Sequence, residues 1–63
     1  MNRALEIYIL ADGVILRVYA GHFTTERPGD PGSACRFDCV GANVPDGVEA
    51  VCEEHGGVEL VML

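Results

Sequence analysis

Residues 4 to 20 run Ala-Leu-Glu-Ile-Tyr-Ile-Leu-Ala-Asp-Gly-Val-Ile-Leu-Arg-Val-Tyr-Ala. Residues 4–10 and 14–20 are rich in β-branched and aromatic types, and Asp12-Gly13 between them is a strong short-range hairpin signal. With a two-residue turn, position 9 faces 16, 7 faces 18 and 5 faces 20. Leu5, Ile7, Ile9, Leu16, Val18 and Ala20 then form the core side. Tyr8 opposes Arg17 and Glu6 opposes Tyr19 on the other, amphipathic side, which reads as surface decoration or as a contact face.

Beyond the hairpin, residues 24–34 carry Pro-Gly turn signals and no apolar period, so they read as a loop. Cys35 to Val40 alternates apolar with polar and predicts a third strand with Cys35, Phe37 and Cys39 inward. Asp46-Gly47-Val48-Glu49 follows Pro45 as a capping box, which starts a helix of about two and a half turns. Val48, Val51, Cys52 and His55 form its apolar stripe, and Gly56-Gly57 supplies a left-handed stop. Residues 58–63 are apolar on both faces and predict a strand well inside the sheet or covered by a second subunit. The 17 residues from 41 to 57 are long enough for a right-handed crossover between parallel strands. The expected fold is α+β: a single-layer sheet of about four strands in the order β-β-β-α-β, with one helix on one face.

The 63 residues, 49% hydrophobic, carry four basic and ten acidic groups, a net charge of −6. They read as a single acidic domain spanning 1–63. A chain of this size buries only about 60% of the surface its unfolded form exposes, which argues against an elaborate enzyme with a deep substrate cavity. No apolar run approaches the roughly 20 residues that cross a bilayer, and no signal-peptide pattern is read near Arg3 and Glu6. Three cysteines, an odd number, fit a reducing compartment better than a secreted disulfide scaffold. A cytoplasmic location is expected.

Charge is unevenly distributed. Residues 1–31 hold three arginines against four acids, whereas residues 32–63 hold Arg36 alone against Asp38, Asp46, Glu49, Glu53, Glu54 and Glu59. Such a half repels nucleic acid and anionic membranes, so a charged partner is expected to be basic. Solubility alone is the plainer explanation of the same pattern.

Cys35, Cys39, Cys52 and His55 have the ligand types of a Cys3His zinc site. An extended segment from Cys35 to Cys39 separates its terminal Cα atoms by roughly 13 Å, too far for one ion. The strand reading and the zinc reading therefore compete, and packing of the cysteines as small hydrophobes is preferred to zinc. Cys52 and His55 are neighbours on the helix, but Glu53 and Glu54 oppose a thiolate there. His22 reads as a surface or core-edge residue, and phosphate-binding glycine motifs are absent. No enzyme activity and no cofactor are expected.

Glu49 and Glu53 stand about 6 Å apart along the helix axis, with Asp46 and Glu54 extending the row. Their spacing is comparable with phosphates at about 3.4 Å per step along a DNA strand. Asp38 and Glu59, taken to lie on neighbouring strands, would widen the strip. In its short acidic chain, its hairpin followed by Cys35 to Val40, and its acidic helix, the sequence resembles small phage or mobile-element inhibitors of bacterial defence, notably DNA-mimicking anti-CRISPR proteins. That resemblance implies a non-catalytic inhibitor in the bacterial host cytoplasm that occludes the DNA-binding surface of a CRISPR effector. The partner-binding residues expected are Asp38, Asp46, Glu49, Glu53, Glu54 and Glu59. The alternative is a zinc-stabilised structural or regulatory module. Either a monomer or a homodimer is compatible, the latter burying Val61, Leu63 and the Tyr8 and Tyr19 face.

Overall fold

A computed structural model describes residues 4–38 and 44–62. Within them the chain forms β1 (Glu6–Leu10), β2 (Ile15–Tyr19), β3 (His22–Arg27), β4 (Asp30–Asp38), α1 (Val44–Glu54) and β5 (Val58–Met62). The strands make one five-stranded sheet in the order β4-β3-β2-β1-β5. Every neighbouring pair is antiparallel. The α+β class with one helix against a single sheet is as expected, with five strands in place of about four.

The first hairpin forms where the sequence places it, but one residue out of the expected register. Its pairs are Glu6↔Val18, Ile7↔Arg17, Tyr8↔Leu16 and Ile9↔Ile15. The Gly13 N–H donates to the Leu10 carbonyl at 2.8 Å, and the Leu10 N–H donates to the Val14 carbonyl at 2.9 Å. Gly13 has φ of +90°, while Ala11 and Asp12 stay at negative φ. The loop therefore has three residues, with glycine in the left-handed position, and is not a two-residue mirror-image turn. Because side chains alternate, that shift turns the whole of β1 over. Tyr8 and Leu10 join Leu16 and Val18 on the helix side, while Ile7 and Ile9 join Ile15, Arg17 and Tyr19 on the other.

Residues 24–34 are not a loop. Thr24–Arg27 pairs with Ile15–Arg17 on one side and with residues 30–36 on the other, and only Pro28-Gly29 forms the connection. Pro28 fixes the first corner and Gly29, at φ of +79°, takes the second. The Ser33 hydroxyl accepts from the Arg27 N–H at 2.8 Å and donates to the Asp30 carbonyl at 2.7 Å, bracing the irregular register there. Pro31 is accommodated because β4 is an edge strand, where a missing donor costs no ladder bond. The expected strand at 35–40 is thus the end of a longer one that stops at Asp38 among the described residues; Cys39 and Val40 lie outside them.

The last strand also departs from expectation. β5 lies at the edge, antiparallel to β1, with Ile7↔Met62, Tyr8↔Val61 and Ile9↔Leu60. A bulge at Glu59 brings Val58 opposite Leu10. Four antiparallel steps across the sheet leave β4 and β5 pointing the same way at opposite edges. The connection through α1 therefore joins co-directional strands that are not neighbours.

The helix begins at Val44, two residues before the expected cap, with Pro45 and Asp46 in its first turn, where neither loses a hydrogen bond. Its end matches the double-glycine signal: the Gly57 N–H donates to the Cys52 carbonyl at 2.8 Å and the Gly56 N–H to the Glu53 carbonyl at 3.2 Å. The core comprises Leu10, Val14, Leu16, Val18 and Phe23 from the sheet with Val48 and Cys52 from the helix. Leu10 and Leu16 are fully buried, each contributing about 1.5–3 kcal/mol. The expected inward positions on β4 are not core: Cys35 is exposed, and Phe37 keeps 41% of its surface in solvent while stacking on Phe23 at 4.8 Å.

The hairpin loop gives a direct test of this architecture. Gly13→Ala meets no atom within 4 Å yet must adopt φ near +90°, and is expected to destabilise by about 1–2 kcal/mol in urea denaturation. Gly32→Ala, at an ordinary φ and with only a 3.5 Å contact to Asp30, should leave stability nearly unchanged.

Candidate functional site

The helix crosses the sheet so that its acidic flank borders β1 and β5. At 100° per residue, Asp46, Glu49 and Glu53 fall within about 60° of one another on that flank, whereas Glu54 projects roughly 100° further round. All four are exposed. Between this flank and the sheet lies an apolar cleft of about 330 Å³, lined by Tyr8, Val18, Val44, Val48, Cys52 and Val58, with Glu6, Pro45 and Glu49 also on its wall. Glu6 belongs here because the true register sets it opposite Val18, on the helix side. The Tyr8 hydroxyl donates to Glu6 Oε2 at 3.1 Å. Burial, followed by that hydrogen bond to a carboxylate, pushes the Tyr8 hydroxyl above its ordinary range. Tyr8 remains a neutral donor that orients Glu6 at neutral pH.

The expected acidic strip is thereby divided. Asp46, Glu49 and Glu53 share one flank of the helix, and of these Glu49 stands with Glu6 on the cleft wall. Asp38 and Glu59 are not on neighbouring strands: they occupy β4 and β5, the two opposite edges of the sheet. Asp38 is held by Arg36, whose Nε donates to Asp38 Oδ1 at 2.8 Å. Glu59 sits exposed at the bulge of β5. Glu54 lies about a quarter turn round the helix from the row.

The cysteines and His55 are likewise dispersed. Cys35 is exposed on β4, Cys52 is buried beneath the helix, and Cys39 lies outside the described residues. Among the described residues no group of three or more His, Cys, Asp or Glu side chains is arranged to hold a metal ion. Burial raises the Cys52 thiol above its ordinary range, with the nearby Glu49 charge adding to the effect. That is the opposite of thiolate activation.

His55 instead joins the helix end to the first hairpin. Its Nδ1 lies 2.5 Å from Asp12 Oδ2. Asp12 Oδ1 also accepts from the Val14 N–H at 3.2 Å, and the Ala11 N–H donates to the Gly57 carbonyl at 2.9 Å. Hydrogen bonding to His55 is the largest influence holding the Asp12 carboxyl below its ordinary range. This cluster is a structural clasp between two turns.

Comparison with protein-family models, with curated proteins and with solved structures finds no match to this chain. Among the described residues no helix is long and apolar enough to cross a membrane.

Two measurements probe this geometry. Because the folded-state Asp12 carboxyl titrates below its unfolded value, its contribution is present above the ordinary carboxylate range and is lost as pH falls through the folded value. Asp12→Asn should therefore lower the melting temperature by a few degrees at neutral pH and flatten its decline into acid, as followed by circular dichroism. In a Cys39→Ser background, iodoacetamide should modify Cys35 readily in the native state and Cys52 at least tenfold more slowly, as expected for a buried thiol of raised pKa. Equal rates by mass spectrometry would contradict the burial of Cys52.

Proposed function

We propose that this chain is a non-catalytic binding protein that occupies a basic surface of a nucleic-acid-binding partner and thereby excludes nucleic acid from it. The observation that carries the reading is the apolar cleft with Glu6 and Glu49 on its wall, next to which the exposed Asp46 and Glu53 continue the acidic flank of the helix. Carboxylates on a rim steer a basic surface into encounter, and an apolar recess gives one side chain of that surface a place to anchor. A nucleic acid itself fits poorly, since these charges repel phosphate and the row carries no arginine or lysine.

The axial rises from Asp46 to Glu49 and from Glu49 to Glu53 are about 4.5 and 6 Å, close enough to phosphate spacing for an arginine-lined DNA channel to accept them. With Asp38 and Glu54 pointing elsewhere, the mimicry is confined to one short row. The contact is correspondingly local: the helix flank and the cleft, not a long groove. A CRISPR effector of the bacterial host is the partner class we propose, in keeping with the chain's likeness in size and acidity to inhibitors of that kind.

The test uses the immobilised chain and purified CRISPR effector complexes, at low and high salt, with and without duplex DNA carrying the target. Retention that salt weakens and DNA displaces supports the proposal. Glu49→Arg with Glu53→Arg should weaken retention at least tenfold, a loss of about 1.4 kcal/mol or more, while circular dichroism shows the fold intact. Retention that ignores salt, DNA and charge reversal rejects recognition by this row.

A further inference from the structure

The cleft between α1 and the sheet encloses about 330 Å³. Benzene occupies an apolar cavity of about 150 Å³, so this space matches roughly two rings, or one ring with a short chain. An arginine side chain alone would leave much of it empty. The volume stands at the lower bound, about 300 Å³, of the clefts in which proteins hold small organic ligands. It stays open because the helix leaves the β5 side of the sheet uncovered: Val58, on the cleft wall, is 44% exposed.

The polar groups at the cleft are of one kind. Glu6 from β1 and Glu49 from α1 stand on its wall, and no arginine or histidine lines it among the described residues. Neither carboxylate is in a salt bridge with another described residue. The Tyr8 hydroxyl donates to one oxygen of Glu6, Oε2, which leaves that carboxylate with acceptor capacity.

We propose that this cleft is a binding site for a small organic cation, an ammonium group on an apolar body of one ring and a short chain. The ammonium is held by Glu6 and Glu49, and the body lies against Tyr8, Val18, Val48 and Val58. The inference concerns the cleft in which the proposed function seats a partner's side chain, but it requires no partner. A free amine bound there would compete with that side chain.

Charge and lining select this class together. The net charge of −6 enriches cations near the surface, and both carboxylates repel a fatty acid or a phosphate ester. A neutral hydrocarbon would gain from the valines but would take water from the carboxylates without replacing it, at a cost. A bare metal ion gains nothing from an apolar wall and meets no group of three ligands among the described residues. An amine on an apolar body answers both parts of the site. Tyr8 contributes further, since burial and the hydrogen bond to Glu6 keep its hydroxyl protonated at neutral pH, and an ammonium is attracted to the face of a neutral aromatic ring.

NMR titration of the chain alone with phenethylamine at neutral pH tests the proposal. Saturable shifts are expected at the methyl groups of Val18, Val48 and Val58 and at the Tyr8 ring, with a Kd on the order of 1 mM. Hydrocinnamate, a similar body with the opposite charge, should bind at least tenfold more weakly. Glu6→Gln and Glu49→Gln should each weaken the amine about threefold, and together about tenfold, with the circular dichroism spectrum unchanged. Asp46→Asn removes a charge from the same helix flank but not from the cleft wall, and should leave binding unaltered. The absence of saturable shifts at tenfold that concentration overturns the proposal, as does equal binding of amine and acid, or a loss in Asp46→Asn as large as in Glu49→Gln. Tighter binding of propylguanidine than of phenethylamine assigns the cleft to an arginine side chain and overturns the free-ligand reading while the proposed function stands. Capture of a CRISPR effector is read independently of these shifts, so each reading can fail alone.

Discussion

The structure depends on one loop position. Gly13 in the left-handed region makes the first connection three residues long, and that length decides which side chains of β1 meet those of β2. Leu10 then closes over Leu16 and Val18, and the helix finds a continuous apolar floor for Val48 and Cys52. Had the loop been one residue shorter, Ile7 and Ile9 would have faced the helix and Leu10 the solvent. The cleft follows from the same choice, because only this register brings Glu6 and Tyr8 beside Glu49. So does the apolar character of the uncovered face, where the displaced isoleucines now lie.

The features legible in the sequence are those decided within a few residues. The first hairpin, the helix with its double-glycine end, and the acidic row on that helix all rest on spacings of three or four positions. The register was not legible, because Asp12-Gly13 suits both a two-residue turn and a three-residue loop with glycine last. The strand from His22 to Arg27 was hidden by its composition: of its residues Phe23 alone is buried, and the rest become a strand through partners on both sides. Strand order is less local still. Asp38 and Glu59 look adjacent if residues 35–40 and 58–63 are neighbours, and only the antiparallel pairing of β5 with β1 sends them to opposite edges. Glu6 was overlooked for the same reason that β1 was turned over.

The two faces of the sheet divide the chemistry of the molecule. The covered face holds the core and, along the helix flank, a row of carboxylates that no described residue pairs in a salt bridge. The uncovered face pairs Arg17 with Glu26 and Arg36 with Asp38 and leaves an apolar half. Small size sharpens this contrast, since one helix of 11 residues cannot shield a five-stranded sheet on both sides. Anchoring falls to the two ends of that helix unequally: its C-terminus is tied by Gly57 and His55 to the first hairpin turn, while its first turn forms one wall of the cleft.

The pairing of β1 with β5 also governs how the protein is made. Ile7 contacts Met62 across nearly the full length of the chain, so that ladder closes late and against a large loop entropy. During synthesis the meander of β1 to β4 emerges first and pairs through local turns. Until residues 58 to 62 have left the ribosome, β1 is itself an open edge, with isoleucine on one side and tyrosine and leucine on the other. The nascent chain thus passes through an interval in which β1 lacks its second neighbour. A pause in translation ahead of the last strand would lengthen that exposure.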